Sequence, residues 1–344
     1  MVWASTKRKD EDLVKKGKVA YVFPGQGSQA VGMGLRLYTQ FSSARDVFDE
    51  VDQTLGFPLS RLCFEGPEDE LTQTINVQPA VLTVSIACLK AAEGIIGGSL
   101  PHPDVVAGHS LGEYTALVVA GTLSLSETVR LVRERGRLMN EAATVSPGGM
   151  VAVLGLDEKT VGDICSSADT EISNINCPGQ IVVSGAEEKL AEFKRLAEIK
   201  GARRIVRLKV SGAFHSRLMR PAAEGLKRAI SEATFGEPLV PVMANVTADT
   251  LIDAEAIKEE LADQIIRCVR WQASVENMIA SGVTRFVEIG HGQVLADLIK
   301  RINPAVPVLN IGDVDIEKQV EKWWTEHRRE HIKGLLEKAI QSEK

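Results

Sequence analysis

The sequence predicts an α/β protein in two parts: a larger domain on a helix-covered parallel sheet, and a smaller β-α-β-β-α-β unit inserted into it. Three observations carry this. Up to residue 143, short apolar runs alternate with stretches of helical period. Beyond Ser146-Pro147-Gly148-Gly149 the order becomes strand, helix, strand, strand, helix, strand. Finally, Gly108-His109-Ser110-Leu111-Gly112 stands between the apolar Val105-Val106-Ala107 and the helix-like Glu113-Tyr114-Thr115-Ala116-Leu117. That strand–turn–helix setting gives a G-x-S-x-G pattern its meaning as a nucleophile elbow.

Val19-Ala20-Tyr21-Val22-Phe23 is a continuous apolar run, as a strand buried on both faces requires. The loop Pro24-Gly25-Gln26-Gly27-Ser28-Gln29 follows it. Helical period covers 35–55 and 78–93; a strand at 105–107, the glycine turn and helices over 111–120 and 126–143 come next. In the inserted unit, strands are read at 150–154, 171–176, 180–184 and 202–208, with helices at 158–166 and 187–200 and a turn at Pro178-Gly179. The chain then returns to the larger domain with Ser211–His215, a helix over 216–229, and a strand at 285–289 leading into Gly290-His291-Gly292. The domain limits so read are a solvated leader at 1–17, a large domain of 18–146 and 211–315, an inserted unit of 147–210, and a helical extension of 316–344 docked by Trp323, Leu335 and Leu336. The large domain is α/β-hydrolase-like and the inserted unit ferredoxin-like. The cleft between them is the natural place for a substrate.

Composition narrows the function classes. The 344 residues, 44% hydrophobic, suffice for a substantial core and one or two domains. A net charge of −6 excludes a general nucleic-acid footprint. Five scattered cysteines, with no Cys-x-x-Cys or Cys/His spacing, point to reduced thiols in a cytoplasmic protein rather than disulfides or a metal site. No apolar run reads as a membrane span, and the mixed-charge residues 5–12 are neither a secretory signal nor a transit peptide.

Gly108 and Gly112 let the backbone close the turn, forcing Ser110 outward at the start of a helix whose amides point toward a developing oxyanion. Serine needs a base, usually histidine. Of the six histidines, His327 and His331 lie in the charged tail and His102 between two prolines, all surface positions. His109 adjoins the nucleophile and is read as support for the loop. His291, on its glycine turn, lines the cleft in this reading, and His215 sits where the chain re-enters the large domain. The residues alone leave the choice between these two open.

Pro24-Gly25-Gln26-Gly27-Ser28-Gln29, Gly108-His109-Ser110-Leu111-Gly112-Glu113-Tyr114, Arg135-Gly136, Asn176-Cys177-Pro178-Gly179-Gln180 and Gly212-Ala213-Phe214-His215-Ser216 occur in order. Together they resemble the malonyl-CoA:acyl carrier protein transacylases and related acyltransferase domains of fatty acid and polyketide synthesis, over residues 18–315. The resemblance implies a Ser110 nucleophile, His215 as base and then acid, and the backbone amides of Gln26 and Leu111 as the oxyanion hole. It implies Arg135 as partner of the malonyl carboxylate, which a guanidinium fork fits better than an ammonium. It also implies the main-chain carbonyl of Gln264 as the group orienting His215, its side chain mattering little. His109, Asn176 and Phe214 join His291 as candidate cleft-lining residues. Two positions depart from the family's common pattern, Gly290-His291-Gly292 for Gly-Pro-Gly and Cys268 for a proline before Val269-Arg270-Trp271. Neither touches the implied chemistry.

No metal and no cofactor are implied, only malonyl-CoA and an acyl carrier protein, with the enzyme a monomer. The basic stretch holding Lys189, Lys194, Arg195, Lys200, Arg203 and Arg204 suits an acidic carrier, though an ordinary solvated helix face is an equal reading. A serine thioesterase or lipase, a trans-acting polyketide acyltransferase and an inactive carrier-docking module are the alternatives.

Overall fold

The structure is a computed structural model that describes residues 17–98 and 100–325. Apart from Gly17 the expected leader lies outside the described residues, as do His327, His331, Leu335 and Leu336. The described strands are β1 (Lys18–Phe23), β2 (Val105–Gly108), β3 (Gly149–Leu154), β4 (Glu171–Cys177), β5 (Gln180–Gly185), β6 (Arg204–Arg207), β7 (Val242–Met243), β8 (Thr250–Leu251), β9 (Val283–Ile289) and β10 (Val308–Ile311). They form two sheets. The first runs β10-β9-β1-β2-β7-β8, parallel throughout except for the antiparallel edge strand β8. The second runs β4-β5-β3-β6 and is antiparallel. The chain is a mixed α/β protein whose larger sheet is mainly parallel, as its alternation of buried runs and helical periods predicts.

β1 lies at the centre of the large sheet, and Ala20 to Phe23 are almost wholly buried, as their uninterrupted apolar run requires. The helix Thr74–Ile96 crosses one face. It packs against the helices Ser42–Leu55 and Leu125–Val145. By length and composition this 23-residue helix, with a mean hydropathy of 1.6 over an 18-residue window, could cross a membrane, which corrects the expectation that no stretch qualifies. Most of it is buried among other helices, the commoner fate of such a segment in a folded core. It also starts a turn before the expected 78. Gly136 allows this, because a Cβ there would sit 2.6 Å from the Thr74 carbonyl oxygen.

Two helices differ from expectation for local reasons. The span 35–55 is broken at Phe41, whose backbone is extended (φ −124°, ψ 115°), into Leu35–Gln40 and Ser42–Leu55. Arg45 seals the break by donating to the carbonyls of Tyr38 (3.1 Å) and Thr39 (3.3 Å), the orphan acceptors of the first helix. The helix expected over 216–229 opens instead with a 3₁₀ turn, Arg217–Met219, before Arg220–Glu232. Ser216 caps that turn through the Leu218 amide. In the extension, residues 316–325 are helical and Trp323 is buried in the main core, while Arg36 pairs with Glu317 at 2.7 Å.

Candidate active site

Three backbones meet where β1 and β2 end. A Cβ on Gly112 would lie 2.0 Å from the Phe23 carbonyl oxygen, and one on Gly25 2.4 Å from that of His109. Only glycine lets the Pro24–Gln29 loop, the end of β1 and the elbow helix Leu111–Val119 come this close. Between them Ser110 takes φ 51° and ψ −104°, a region that costs a non-glycine residue about 1–3 kcal/mol and persists only where neighbours over-determine it. Its hydroxyl faces a cavity of about 210 Å³ whose lining also includes Gln26, Leu111, Arg135, Phe214 and His215.

His215 lies 2.8 Å from the Ser110 Oγ through Nε2 and 2.7 Å from the Gln264 carbonyl through Nδ1. A carbonyl only accepts, so Nδ1 carries the proton and Nε2 is left to accept from the serine hydroxyl. Burial, and then the nearby Arg135 cation, push the His215 pKa down to about 3. The imidazole is therefore neutral near pH 7, as a base must be. Its backbone is also left-handed (φ 55°), and flanking side chains pin it. Ser184 Oγ donates to the Phe214 carbonyl and Ser216 Oγ to that of Ala213, both at 2.6 Å.

Arg135, on the helix Leu125–Val145, is 1% exposed. Its Nη1 donates to Gln78 Oε1 at 2.8 Å, and its Nη2 to Gln264 Oε1 at 2.8 Å and Ser110 Oγ at 3.2 Å. The guanidinium carbon lies 5.3 Å from the centre of the Tyr114 ring. Among the described residues no carboxylate forms an ion pair with it. Glu113 is joined to it by hydrogen bonds through the Gln264 amide, which donates to the Glu113 carboxylate, and acts on it electrostatically without contact. Burial accordingly lowers the Arg135 pKa. Arg135 is thus a buried cation held by two neutral amides and the Ser110 hydroxyl, an arrangement that burial alone makes costly.

His109 serves as loop support: its Nε2 lies 2.9 Å from Asn176 Oδ1 on β4, and its ring packs edge-on to Trp271. Burial lowers its pKa. Both residues line the cavity. His291 does not, which corrects the reading that placed it there. Its Nδ1 is instead 2.7 Å from Asp313 Oδ1, and that bond raises its pKa. Gly290 explains the diversion: a Cβ there would meet Pro24 at 2.8 Å, so this turn buttresses the Pro24–Gln29 loop from behind. Among the described residues no group of three His, Cys, Asp or Glu side chains is placed to hold a metal ion.

Residues 20–329 match the family model described as acyl transferase domain. The chain belongs to the acyl transferase domain family. A Bacillus subtilis (strain 168) relative, a malonyl CoA-acyl carrier protein transacylase, is 46% identical over 303 residues, covering 86% of this chain and 94% of that protein. The solved structure of an acyl-carrier-protein-S-malonyltransferase from Bartonella henselae superposes with a TM-score of 0.83 at 43% identity, covering 89% of this chain and 98% of its own. A third, a type II PKS acyl-carrier protein in complex with its malonyl-transacylase, has a TM-score of 0.84 at 37% identity and covers 88% of this chain and 98% of its own.

The Gln264 side chain, expected to matter little, has three polar contacts at the site. Its Oε1 accepts from Arg135, while its Nε2 donates to the Ser110 carbonyl at 2.9 Å and to Glu113. Gln78 was missed altogether. The one available signal was polarity in the wrong place: Asn76 and Gln78 carry amides into the first turns of a largely apolar helix and are buried. The basic residues Lys189, Lys194, Arg195, Lys200, Arg203 and Arg204 are all exposed. Arg195 is partly spent on Glu192 at 2.7 Å and Lys194 faces Glu198 at 3.9 Å.

Proposed function

We propose that this chain transfers a malonyl group from malonyl-CoA to the phosphopantetheine thiol of an acyl carrier protein, through a malonyl ester on Ser110, and so feeds fatty acid biosynthesis. The observation that carries the reading is the buried Arg135, without an acidic partner, 3.2 Å from the serine oxygen. It supplies a carboxylate site at the reach of a three-carbon diacid. Ser110 Oγ attacks the thioester carbonyl while His215 Nε2 takes its proton. The resulting oxyanion is met by the amides of Gln26 and Leu111, each such donor being worth about 2.7–4 kcal/mol in comparable sites. Collapse breaks the C–S bond, and the imidazolium returns its proton to the departing CoA thiolate. The carrier thiol then repeats these steps in reverse, giving ping-pong kinetics. The chemistry asks for no cofactor beyond the two substrates.

The domain assignment that fits this reading gives 18–146 and 211–315 to an α/β-hydrolase-like catalytic domain. It gives 147–210 to an inserted unit whose strand order, β4-β5-β3-β6, follows the ferredoxin-like plan. The cavity lies between the two, with Met150 and Val182 on one wall and Leu295 and Leu298 on the other. The exposed Lys200, Arg203 and Arg204 of the inserted unit suit an acidic carrier approaching that cavity.

Incubation with malonyl-CoA, read by intact mass, tests the proposal. Wild-type protein should carry one malonyl adduct that Ser110→Ala lacks, and carrier protein should remove it far faster than water does. Rapid release of free malonate without any thiol acceptor would make the protein a hydrolase instead.

A further inference from the structure

The elbow is held from a side that the acyl chemistry does not use. Asn245 follows β7, the neighbour of β2 in the large sheet, and is 1% exposed. Its Oδ1 accepts from the backbone N–H of Ser110 at 2.7 Å, and its Nδ2 donates to the carbonyl of Gly108 at 2.7 Å. Its own backbone N–H donates to Glu113 Oε1 at 3.1 Å, and its carbonyl accepts from the Arg270 N–H at 2.8 Å. The side chain thus spans the last residue of the strand and the nucleophile, while the backbone ties the first turn of the elbow helix.

We propose that Asn245 is a positioning residue that clamps Ser110 in its left-handed conformation and so aims Oγ at His215 and at the incoming acyl carbon. The proposal rests on the reading of Ser110 as the acylated serine. Two physical consequences follow from the geometry. A strained turn relaxes unless its neighbours forbid it, and here one amide side chain satisfies polar groups before and at the strained residue. The clamp also engages the Ser110 amide, so that amide is not free to serve the oxyanion, which is left to Gln26 and Leu111. Asn245 does not line the cavity; it acts only through the backbone of the elbow.

Removing the clamp should slow acylation without changing what the cavity binds. In Asn245→Ala the rate constant for forming the malonyl adduct, measured by rapid quench and intact mass, should fall by about a hundredfold, the scale of an ångström-sized misplacement. The half-saturating malonyl-CoA concentration and the malonyl-over-acetyl preference should stay within threefold of wild type, because Arg135 and its amides are untouched. A rate within threefold of wild type in the folded variant overturns the proposal. So does an equal loss in half-saturation or in acyl preference, which would mean that the whole cavity had shifted. If the alanine variant does not fold, Asn245→Asp is measured in the same way. It keeps an acceptor at the Ser110 amide but opposes the Gly108 carbonyl, so a clear fall is expected and a rate within threefold again refutes the clamp. Wild type and Ser110→Ala run alongside: an adduct absent from wild type, or equal in both, removes the nucleophile assignment itself rather than the clamp.

Discussion

Replacing Arg135 by alanine tests the proposed pairing of its guanidinium with the free carboxylate of a dicarboxylic acyl group. Among the described residues the guanidinium has hydrogen bonds to Gln78, Gln264 and Ser110 and none to a carboxylate. A bound malonyl carboxylate would form a charge pair with a guanidinium that is 1% exposed, at the wall of a cavity of about 210 Å³. Truncating one side of such a buried pair costs about 2–5 kcal/mol, much of it the stranded partner charge. At 1.4 kcal/mol per factor of ten, kcat/KM for malonyl-CoA should fall by about thirty- to several-thousand-fold. Acetyl-CoA loses no partner and no longer leaves a buried cation unpaired, so its rate should hold or rise. The assay is the initial rate of adduct formation on Ser110 with each thioester, in protein whose unfolding profile shows that it is folded. An unchanged malonyl-to-acetyl ratio, or equal losses for both, refutes the carboxylate role. Arg135→Lys should fall between the two, since an ammonium cannot hold both glutamine oxygens and a carboxylate in one plane.

The remaining predictions test other groups of the site and its surroundings. Because the folded His215 pKa is lowered to about 3 against 6.5 for an ordinary histidine, loading should hold as pH falls from 7 to about 5, and a half-loss near 6.5 would refute the burial argument. The same depression makes His215 protonate more readily in the unfolded chain, so its contribution to stability is complete above pH 6.5 and declines below it; thermal melts against pH measure this. Gln264→Ala keeps the carbonyl that orients His215 but strips three side-chain bonds; it should destabilise by about 1–3 kcal/mol and slow loading, while wild-type rates would show the carbonyl suffices. Gly112→Ala, with its Cβ at 2.0 Å from a main-chain oxygen, should cost about 1–3 kcal/mol in denaturant unfolding and disable loading. Charge reversal at Lys200, Arg203 and Arg204 should raise KM for the carrier protein and leave malonyl-serine formation alone; equal kinetics with the carrier would return the patch to ordinary solvated surface.

What could be read in the sequence was what is local. The elbow is legible because its strand, turn and helix are contiguous, and the required glycines lie within five positions. The break at Phe41 was not, since a helical period continues across it and only the Arg45 side chain reveals where carbonyls need a donor. β7 and β8, of two residues each, are too short to carry a period; β7 forms on the edge of β2, and β8 on the edge of β7. The polar cage of Arg135 was illegible for a related reason. Gln78 and Gln264 stand 57 and 129 positions away, and Asn245 is 135 from Ser110, so no window contains both partners. His291 misled because a histidine on a glycine turn reads the same whether it faces a cavity or, as here, an aspartate behind a loop.

The arrangement also explains why an acyl-serine here should wait for a thiol rather than for water. The base is buried and kept neutral, so a water molecule must enter the cavity and be aligned on Nε2 to be activated. A malonyl ester would occupy the space in front of Ser110, with its carboxylate drawn toward Arg135 and away from the histidine. Met150, Val182, Leu295 and Leu298 make the apolar part of the cavity wall, beside the polar Gln26, Asn174, Asn176 and Gln180. The apolar part offers water no hydrogen-bond partners and suits the narrow arm of a carrier thiol. Selectivity for the acyl group and resistance to hydrolysis would then share one cause, the carboxylate's hold on Arg135. Arg135→Ala loaded with acetyl-CoA should therefore lose its adduct to water faster than the malonyl wild type does. Equal lifetimes would place the protection in the apolar walls alone.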